Sequence, residues 1–364
     1  MDILYDHQIF CMQKYGGISR YFYEIVSRIA QKENAYFYEG YHINEYGLED
    51  VADVNVISSM KRPKIPKTGR IFEMLNGWQL RKHIKRGKFD IYHPTYYRDY
   101  GKGKCCLVLT VHDMIHELFP KYFTNSKRDI EEKENLIKKA DRIIAISKST
   151  KHDLIDIYGI PEEKINIVYH GNSLRIPVTT KRIEVKPYIL YVGNRGGYKN
   201  FIPFIKAFAN SLFRDEIKLI AFGGGKFSSE EEQEIHRLGL EYNIEQISGP
   251  DIVLANLYKY AEAFAYPSEY EGFGFPPLEA MYYETPVLCS NTSSLPEVVG
   301  KAGLYFSPSS IDEMMEAINK IISDVELRKR LVMAGKIRER LFDWNRCAEE
   351  TLNVYQKALG EGRN

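Results

Sequence analysis

The chain has 364 residues, 44% hydrophobic and 27% charged, a composition of folded proteins that excludes a disordered one. Its length exceeds one ordinary core and suits two domains of about 150–200 residues each. With 50 Lys and Arg against 49 Asp and Glu, the bulk charge is near neutral and argues against a general nucleic-acid binder.

In chain order, "DILY" reads as a strand, and "ISRYFYEIVSRIA" as a helix with Ile18, Phe22, Ile25 and Ile29 on one face. "FDIYH" and "CCLVLTVHD" read as strands, "RDIEEKENLIKKA" as a polar-faced helix, and "DRIIAIS" as a buried strand. "KSTKHDLIDIYG" is a helix with hydroxyl residues at its start and Gly159 as its stop, before the strand "INIVYHG". The Pro-containing stretch "NSLRIPVTTKRIEVKP" reads as an interdomain linker. The alternation then resumes with "YILYVG", "FIPFIKAFANS", "IKLIAFGGG", "SEEEQEIHRLG", "IEQIS", "VLANLYKYA", "AFAYPS", "PPLEAMYYE" and "PVLCS", and further helices run to the end. Strands alternating with helices predict parallel sheets covered on both faces. The expected domains are 1–175 and 176–344, with a closing helix, about 345–364, able to pack back on the first. Ligands are expected at the carboxyl ends of both sheets.

The five cysteines, Cys11, Cys105, Cys106, Cys289 and Cys347, form no CxxC pair and are odd in number. Neither a disulfide framework nor a zinc site is expected, and a reducing cytoplasm is. "MDILYDHQIF" lacks a basic n-region, and no run approaches about 18 apolar residues, so neither a secretion signal nor a membrane span is expected.

Four stretches could carry chemistry. In "SEYEGFGFPPLEAMYYETPV", Gly272 and Gly274 make a loop, and Pro276 and Pro277 suit a first helical turn, which would also hold Glu279. Such a helix start offers amides to an anion, and Glu271 and Glu279 offer acceptors to hydroxyls. The plain alternative is that Glu279 caps its own helix and Glu271 is solvated. In "YVGNRGGYKN", Arg195 and Lys199 stand on a turn at a strand end, where two cations can neutralise a diphosphate; the alternative is an exposed turn. Gly16 and Gly17 precede a helix and could let a phosphate approach, and "FGGGK" is a similar, weaker signal. His112 and Asp113 end an apolar strand, so His112 either faces a ligand or satisfies local backbone.

Together these stretches make the chain resemble the retaining glycosyltransferases of the GT-B fold, family 4. The family signature is Glu-x7-Glu in a stretch like "PSxxEGFGxPxLEAM", and this chain reads "PSEYEGFGFPPLEAM". "PVLCSNTSSLPEVVGKAGLYFSP", "AISKSTKHDLIDIYGIPEEKINIVYHG" and "YILYVGNRGGYKN" extend the likeness over nearly the whole chain. The resemblance implies two Rossmann-like, doubly wound parallel-sheet domains facing a central cleft, the first binding an acceptor and the second a nucleotide-sugar donor. It further implies that Glu279 holds the ribose hydroxyls, and that Glu271, Gly272, Phe273 and Gly274 hold the transferred sugar and adjacent phosphate. Arg195 and Lys199 would bind the diphosphate, with Gly16 and Gly17 beside it, and His112 would face the sugar's reacting side. The turn "GNRGGYKN" carries more glycines than relatives do, and lacks their usual basic residue before the Lys, which bears on Arg195.

Implied too are retention, front-face attack assisted by the leaving phosphate, and no cofactor or catalytic metal; no D-x-D stands near these loops. The two glutamates are then binding groups and not a glycosidase acid–base pair. Similarity to bacterial mannosyltransferases of surface polysaccharides suggests GDP-mannose, with UDP-hexoses open, and a glycan or lipid-linked acceptor. The competing readings are a sugar-nucleotide epimerase or pseudo-glycosyltransferase on the same fold, and a silent sugar-nucleotide binder. A nicotinamide dehydrogenase is disfavoured by the missing GxGxxG fingerprint.

Between Lys61 and Lys88 the chain collects ten basic residues, opposed only by Glu73 and interleaved with Ile71, Phe72, Leu75, Trp78 and Leu80. Such a segment suits an anionic membrane surface on the cytoplasmic side, or else a solvated helix face over an ordinary core or a groove for an acidic acceptor.

Overall fold

The structure is a computed structural model and describes residues 1–124, 126–178 and 186–361. The chain divides into two compact units: Met1–Gly171 together with the chain from Asp343, and Asn172–Phe342. Residues 179–185 of the expected linker lie outside the described residues.

The first unit is built on strands β1 (Asp2–Tyr5), β2 (Asn34–His42), β3 (Asn55–Lys61), β4 (Ile91–His93), β5 (Cys106–Val111), β6 (Arg142–Ala145) and β7 (Ile165–Ile167). All pair in parallel, in the order β3-β2-β1-β4-β5-β6-β7. Covered on both faces, the central strands can be continuous apolar runs such as "CLVLTV". The helix Gly17–Ile29 buries Phe22, Ile25 and Ile29 as its periodicity predicts, with Tyr21 and Val26 beside them, while Ile18 stays half-buried. The closing helix Trp344–Glu361 packs on Gly17–Ile29 and on β5 and β6 of this same unit.

The second unit carries β8 (Tyr188–Val192), β9 (Lys218–Phe222), β10 (Ile244–Ile247), β11 (Ala263–Tyr266), β12 (Val287–Ser290) and β13 (Gly303–Phe306). They too are parallel, in the order β10-β9-β8-β11-β12-β13. In each sheet the order reverses direction at one point, beside β1 and β4 in the first and beside β8 and β11 in the second. Loops leaving the carboxyl ends on either side of such a point diverge and open a crevice. Two Rossmann-like doubly wound units are thus present, as expected. Among the described residues, no helix is long and apolar enough to cross a membrane.

Candidate functional site

In the second unit, β8 runs out at Val192 into Gly193, and the turn closes through the short helix Gly197–Lys199. β11 runs out at Tyr266 into the loop that carries Glu271. The two loops are tied where the Glu269 N–H donates to the Tyr198 carbonyl at 2.8 Å. That tie brings Lys199 to Glu271, Nζ to Oε1 at 2.7 Å. The pair is mostly shielded, at 17% and 10% side-chain exposure, so its electrostatics is screened far less than a surface pair's.

The Glu271 loop is clamped from β12's side. The Ser293 hydroxyl accepts the Glu271 N–H at 2.9 Å, and the Ser294 hydroxyl donates to the carbonyls of Glu271 and Phe273 at 2.8 and 2.6 Å. Tyr266 is buried beside Glu271; burial first, then that carboxylate, holds its hydroxyl far above the ordinary phenol range. Sequence reasoning missed Tyr266, Ser293 and Ser294. The serines lie in the quoted "SNTSSLPEVVG", but nothing local says which loop they grip.

Gly274 has φ of +120°, a conformation that L side chains rarely adopt, and it starts the helix Phe275–Tyr282. The helix therefore begins one residue ahead of the proline pair, and Glu279 is its fifth residue, past the first turn where the sequence placed it. Pro276 and Pro277 also lack N–H groups, so the donors at this start are those of Gly274 and Phe275. Glu279 is buried, and its Oε2 accepts the Tyr258 hydroxyl at 3.0 Å. Tyr258, also missed, is raised well above its ordinary pKa by burial and then by the Glu279 charge, so it stays the donor.

Arg195 departs most from expectation. Its Nε donates to Glu231 Oε1 at 2.8 Å, Nη1 to the Gly223 carbonyl at 2.8 Å, and Nη2 to the carbonyls of Gly225 and Lys226 at 3.0 and 2.9 Å. Glu231 in turn belongs to the capping box at Ser228 that opens the helix Ser229–Arg237. A Cβ on Gly224 would stand 2.7 Å from both Arg195 Nη1 and the Gly193 carbonyl, which explains the glycine at that position. Arg195 is thus buried and engaged by Glu231 and the Gly223–Lys226 loop. Lys199 is left as the cation of the turn.

In the first unit, His112 follows β5 and is buried against Tyr21 and His170, ring centroids 5.2 and 5.9 Å away. Its Nε2 has no hydrogen-bond partner, although its backbone N–H donates to the Tyr97 hydroxyl at 3.1 Å. Burial first, then the Lys133 charge, pushes its pKa down to about 3, so the ring is neutral. A buried ring nitrogen without a partner suits a ligand hydroxyl better than it suits local backbone. Gly16 is the N-cap of the helix Gly17–Ile29 in extended backbone, and its carbonyl accepts from Ser19 Oγ at 3.2 Å.

The same unit holds a cavity of about 310 Å³ at the carboxyl ends of β1, β2 and β4, which sequence reasoning did not find. Tyr41, Phe72, Tyr96 and Tyr100 give it aromatic walls. Three arginines, Arg62, Arg70 and Arg98, are balanced by Glu73, Asp129 and Glu132. His7 also lines it, buried, neutral with a pKa pushed down to about 4 by burial, and with no partner for Nδ1. Rings with balanced hydrogen-bonding charges fit a neutral polyol better than an anion.

Comparison with known proteins agrees with the fold described above. Residues 15–174 match the family described as Glycosyltransferase Family 4, and residues 175–338 match Glycosyl transferases group 1. O-antigen chain mannosyltransferase B of Escherichia coli is 27% identical over 374 residues, spanning 93% of this chain and 96% of that protein. O-antigen chain mannosyltransferase RfbU of Salmonella typhimurium is 29% identical over 217 residues, 58% of this chain and 60% of that protein. Among solved structures, HepE of Anabaena in complex with UDP and glucose has the same fold, with a TM-score of 0.75 at 19% identity, covering 98% of this chain and 99% of that one.

Proposed function

Because the chain belongs to the family 4 glycosyltransferases of the GT-B fold, we propose that it moves a hexose, with retention, from a nucleoside-diphosphate sugar to a glycan or lipid-linked acceptor in surface polysaccharide synthesis. The observation that carries this reading is the Lys199–Glu271 pair, closed at the point where the second sheet reverses order. Cleavage of the donor builds negative charge on the distal phosphate and positive charge on the anomeric carbon. Lys199 and the Gly274 amide at the helix start stabilise the first charge as it develops. Glu271 orients the sugar through its hydroxyls, and Glu279, fixed by Tyr258, accepts the ribose hydroxyls. His112, neutral and with Nε2 unpartnered, offers that nitrogen to a ligand hydroxyl within the first unit. Arg195 acts only by holding the neighbouring loop.

The chemistry assigned to these residues needs no cofactor: the leaving phosphate takes the acceptor proton, and Lys199 is its counter-ion. Similarity to O-antigen mannosyltransferases supports a mannose-carrying donor, which we take to be GDP-mannose, with a UDP-hexose as the alternative. The balanced, ring-walled cavity of the first unit supports an uncharged sugar as the part of the acceptor held there.

A panel of GDP- and UDP-sugars, scored for diphosphate release with and without candidate acceptors, tests the reaction. Release that depends on an acceptor supports transfer; release without one, or epimerised donor, supports the competing enzymes. NMR of the product's anomeric centre tests retention, and an inverted linkage overturns it. Turnover should survive EDTA, and a strict divalent-ion requirement would remove Lys199 as the sufficient counter-charge.

A further inference from the structure

The carboxyl end of β2 gathers an imidazole and two carboxylates that the transfer reaction does not use. Tyr38 stands opposite Ser58 of β3 and Gly40 opposite Ser59, so Glu39 is an extra residue between two paired ones. In a regular strand, residues three apart point to opposite faces. The bulge, with Gly40 at φ of +58°, breaks that alternation and brings Glu39 and His42 together. The short helix Leu48–Asp50, on the connection from β2 to β3, supplies Glu49. A ligand atom from each of Glu39, His42 and Glu49 lies within 4.8 Å of the other two. The Glu39 and His42 side chains are each 1% exposed, and that of Glu49 is 22% exposed.

His42 Nδ1 lies 2.9 Å from Glu39 Oε1, yet no hydrogen bond aligns between them, and Nδ1 has no other partner. Ser59 sets the state of the ring. Its hydroxyl donates to Glu39 Oε2 at 2.7 Å, which uses its one hydrogen, and its oxygen stands 3.3 Å from His42 Nε2. That oxygen is then the acceptor, and Nε2 carries the ring hydrogen. Nδ1 is left with a lone pair beside a carboxylate oxygen, an arrangement that repels unless the two share a cation. Ligand atoms held 2.0–2.2 Å from one ion stand about 2.8–3.6 Å apart, and Nδ1 and Oε1 have that spacing. Glu49 gives a further sign. Its Oε2 is buried without a partner, and burial first, then the Glu39 charge, raises its carboxyl above the ordinary range. Lys61, whose charge also reaches Glu49, donates to the Asn44 carbonyl and pairs with Glu45 at 3.5 Å, so it does not close the cluster. Two carboxylates and a neutral ring leave two negative charges, which one divalent ion balances. An imidazole in the set favours a first-row ion over Ca²⁺ or Mg²⁺, which take oxygen ligands. No thiolate takes part, so cysteine spacing gave no sign of the site.

We propose that Glu39, His42 through Nδ1, and Glu49 bind one Zn²⁺ or similar first-row divalent ion, which staples the β2–β3 connection to the sheet, with Ser59 orienting both Glu39 and the ring. The Arg62 N–H donates to the His42 carbonyl at 2.7 Å, and Tyr41 precedes His42 in the chain. Both line the cavity of the first unit, so the ion holds part of that wall and takes no part in transfer. The inference does not rest on the glycosyl-transfer reading, since binding is measured without donor or acceptor.

The test titrates ZnCl₂ into the intact protein after dialysis against EDTA and removal of the chelator. Calorimetry should show one ion per chain, and free zinc at 100 times Kd should raise the melting temperature by about 5–10 °C. Glu49→Gln, a conservative change on a partly exposed short helix, should weaken binding on the order of 10²-fold or more, and Ser59→Ala by about 10–100-fold. His152→Gln with His236→Gln removes the exposed His152–Asp156 and His236–Glu241 pairs and should leave binding unchanged. X-ray absorption at the zinc edge of the unmodified protein should show one imidazole, oxygen ligands and no sulfur. No binding overturns the proposal, as does binding that Glu49→Gln leaves intact or that the His152, His236 variant abolishes. Melting indifferent to zinc but raised by acid would indicate an imidazolium held between the glutamates, and overturns it equally. If Glu49→Gln fails to fold, the absorption spectrum decides: a second imidazole or a sulfur ligand overturns the site.

Discussion

The Lys199 ammonium lies 2.7 Å from Glu271 Oε1, joining the loop after β8 to the loop after β11. A lysine has three donors, so this one can keep its carboxylate and still reach a phosphate. Lys199→Ala should lower kcat/KM on the order of 10²-fold or more. It should also cost about 3 kcal/mol of stability, because it leaves a shielded carboxylate alone. Adding Glu271→Gln should recover much of the melting temperature and none of the rate. Near-normal turnover in a folded Lys199→Ala enzyme would reduce the pair to a loop fastener.

Glu279 and Tyr258 make a second separable pair. Calorimetry with free nucleoside diphosphate should show Glu279→Ala weaker by about 1.5–3 kcal/mol, the size of a charged hydrogen bond. Tyr258→Phe removes only the group that orients the carboxylate, so its loss should be smaller and appear in binding more than in kcat. Equal affinity in wild type and Glu279→Ala would detach Glu279 from the nucleotide.

Arg195 should behave oppositely to Lys199. Its pair with Glu231 is 3% and 10% exposed, and breaking such a pair costs about 3–5 kcal/mol. For a unit of this size that is a fall on the order of 10 °C in melting temperature. Assayed well below that temperature, Arg195→Met should retain kcat within about tenfold per folded molecule. A rate loss as deep as that of Lys199→Ala, with melting unchanged, would return Arg195 to the phosphate.

These contrasts mark what the sequence could carry. β8 and β11 were legible because strands buried on both faces are unbroken apolar runs. Arg195 was not, because its partners, Gly223 to Lys226 and Glu231, are set by how the β9 loop returns, and a turn with two cations looks the same whether or not one is consumed. Glu279 was one residue too early in its helix because Gly274, at positive φ, starts the helix before the prolines do. The cavity lay hidden because its walls come from segments as far apart in the chain as His7 and Glu132, and because β2 is interrupted by register shifts at Tyr38 and Gly40 that blur its alternation. The apolar residues of the basic segment were visible as composition, but only the fold says that Met74 and Trp78 of the helix Gly69–Arg86 are exposed.

The buried histidines should set the acid limit of the protein. Burial is the first cause in each case: it pushes His7 to about 4, His93 and His112 to about 3, and His170 well below its ordinary value. His93 is closed on both nitrogens, Nδ1 against the Tyr355 hydroxyl at 2.6 Å and Nε2 against Thr110 Oγ1 at 2.9 Å. A histidine whose folded pKa lies below its unfolded value of 6.5 takes up its proton first in the unfolded chain. Its contribution is therefore complete above that pH, and is lost as pH falls through 6.5 toward the folded pKa, at up to about 1.4 kcal/mol per pH unit for each ring. Melting temperature should thus be flat from about pH 8 to 7 and fall steeply between pH 6.5 and 5, where carboxylate titration has hardly begun. His93→Gln, which can keep one of the two hydrogen bonds, should be less stable at pH 7.5 and show a shallower fall below 6.5. By the same argument His112 stays neutral throughout, so no step in the rate profile between pH 5 and 8 should vanish in His112→Asn. A melting curve that holds level to pH 5 would mean that these rings are protonated in the folded protein.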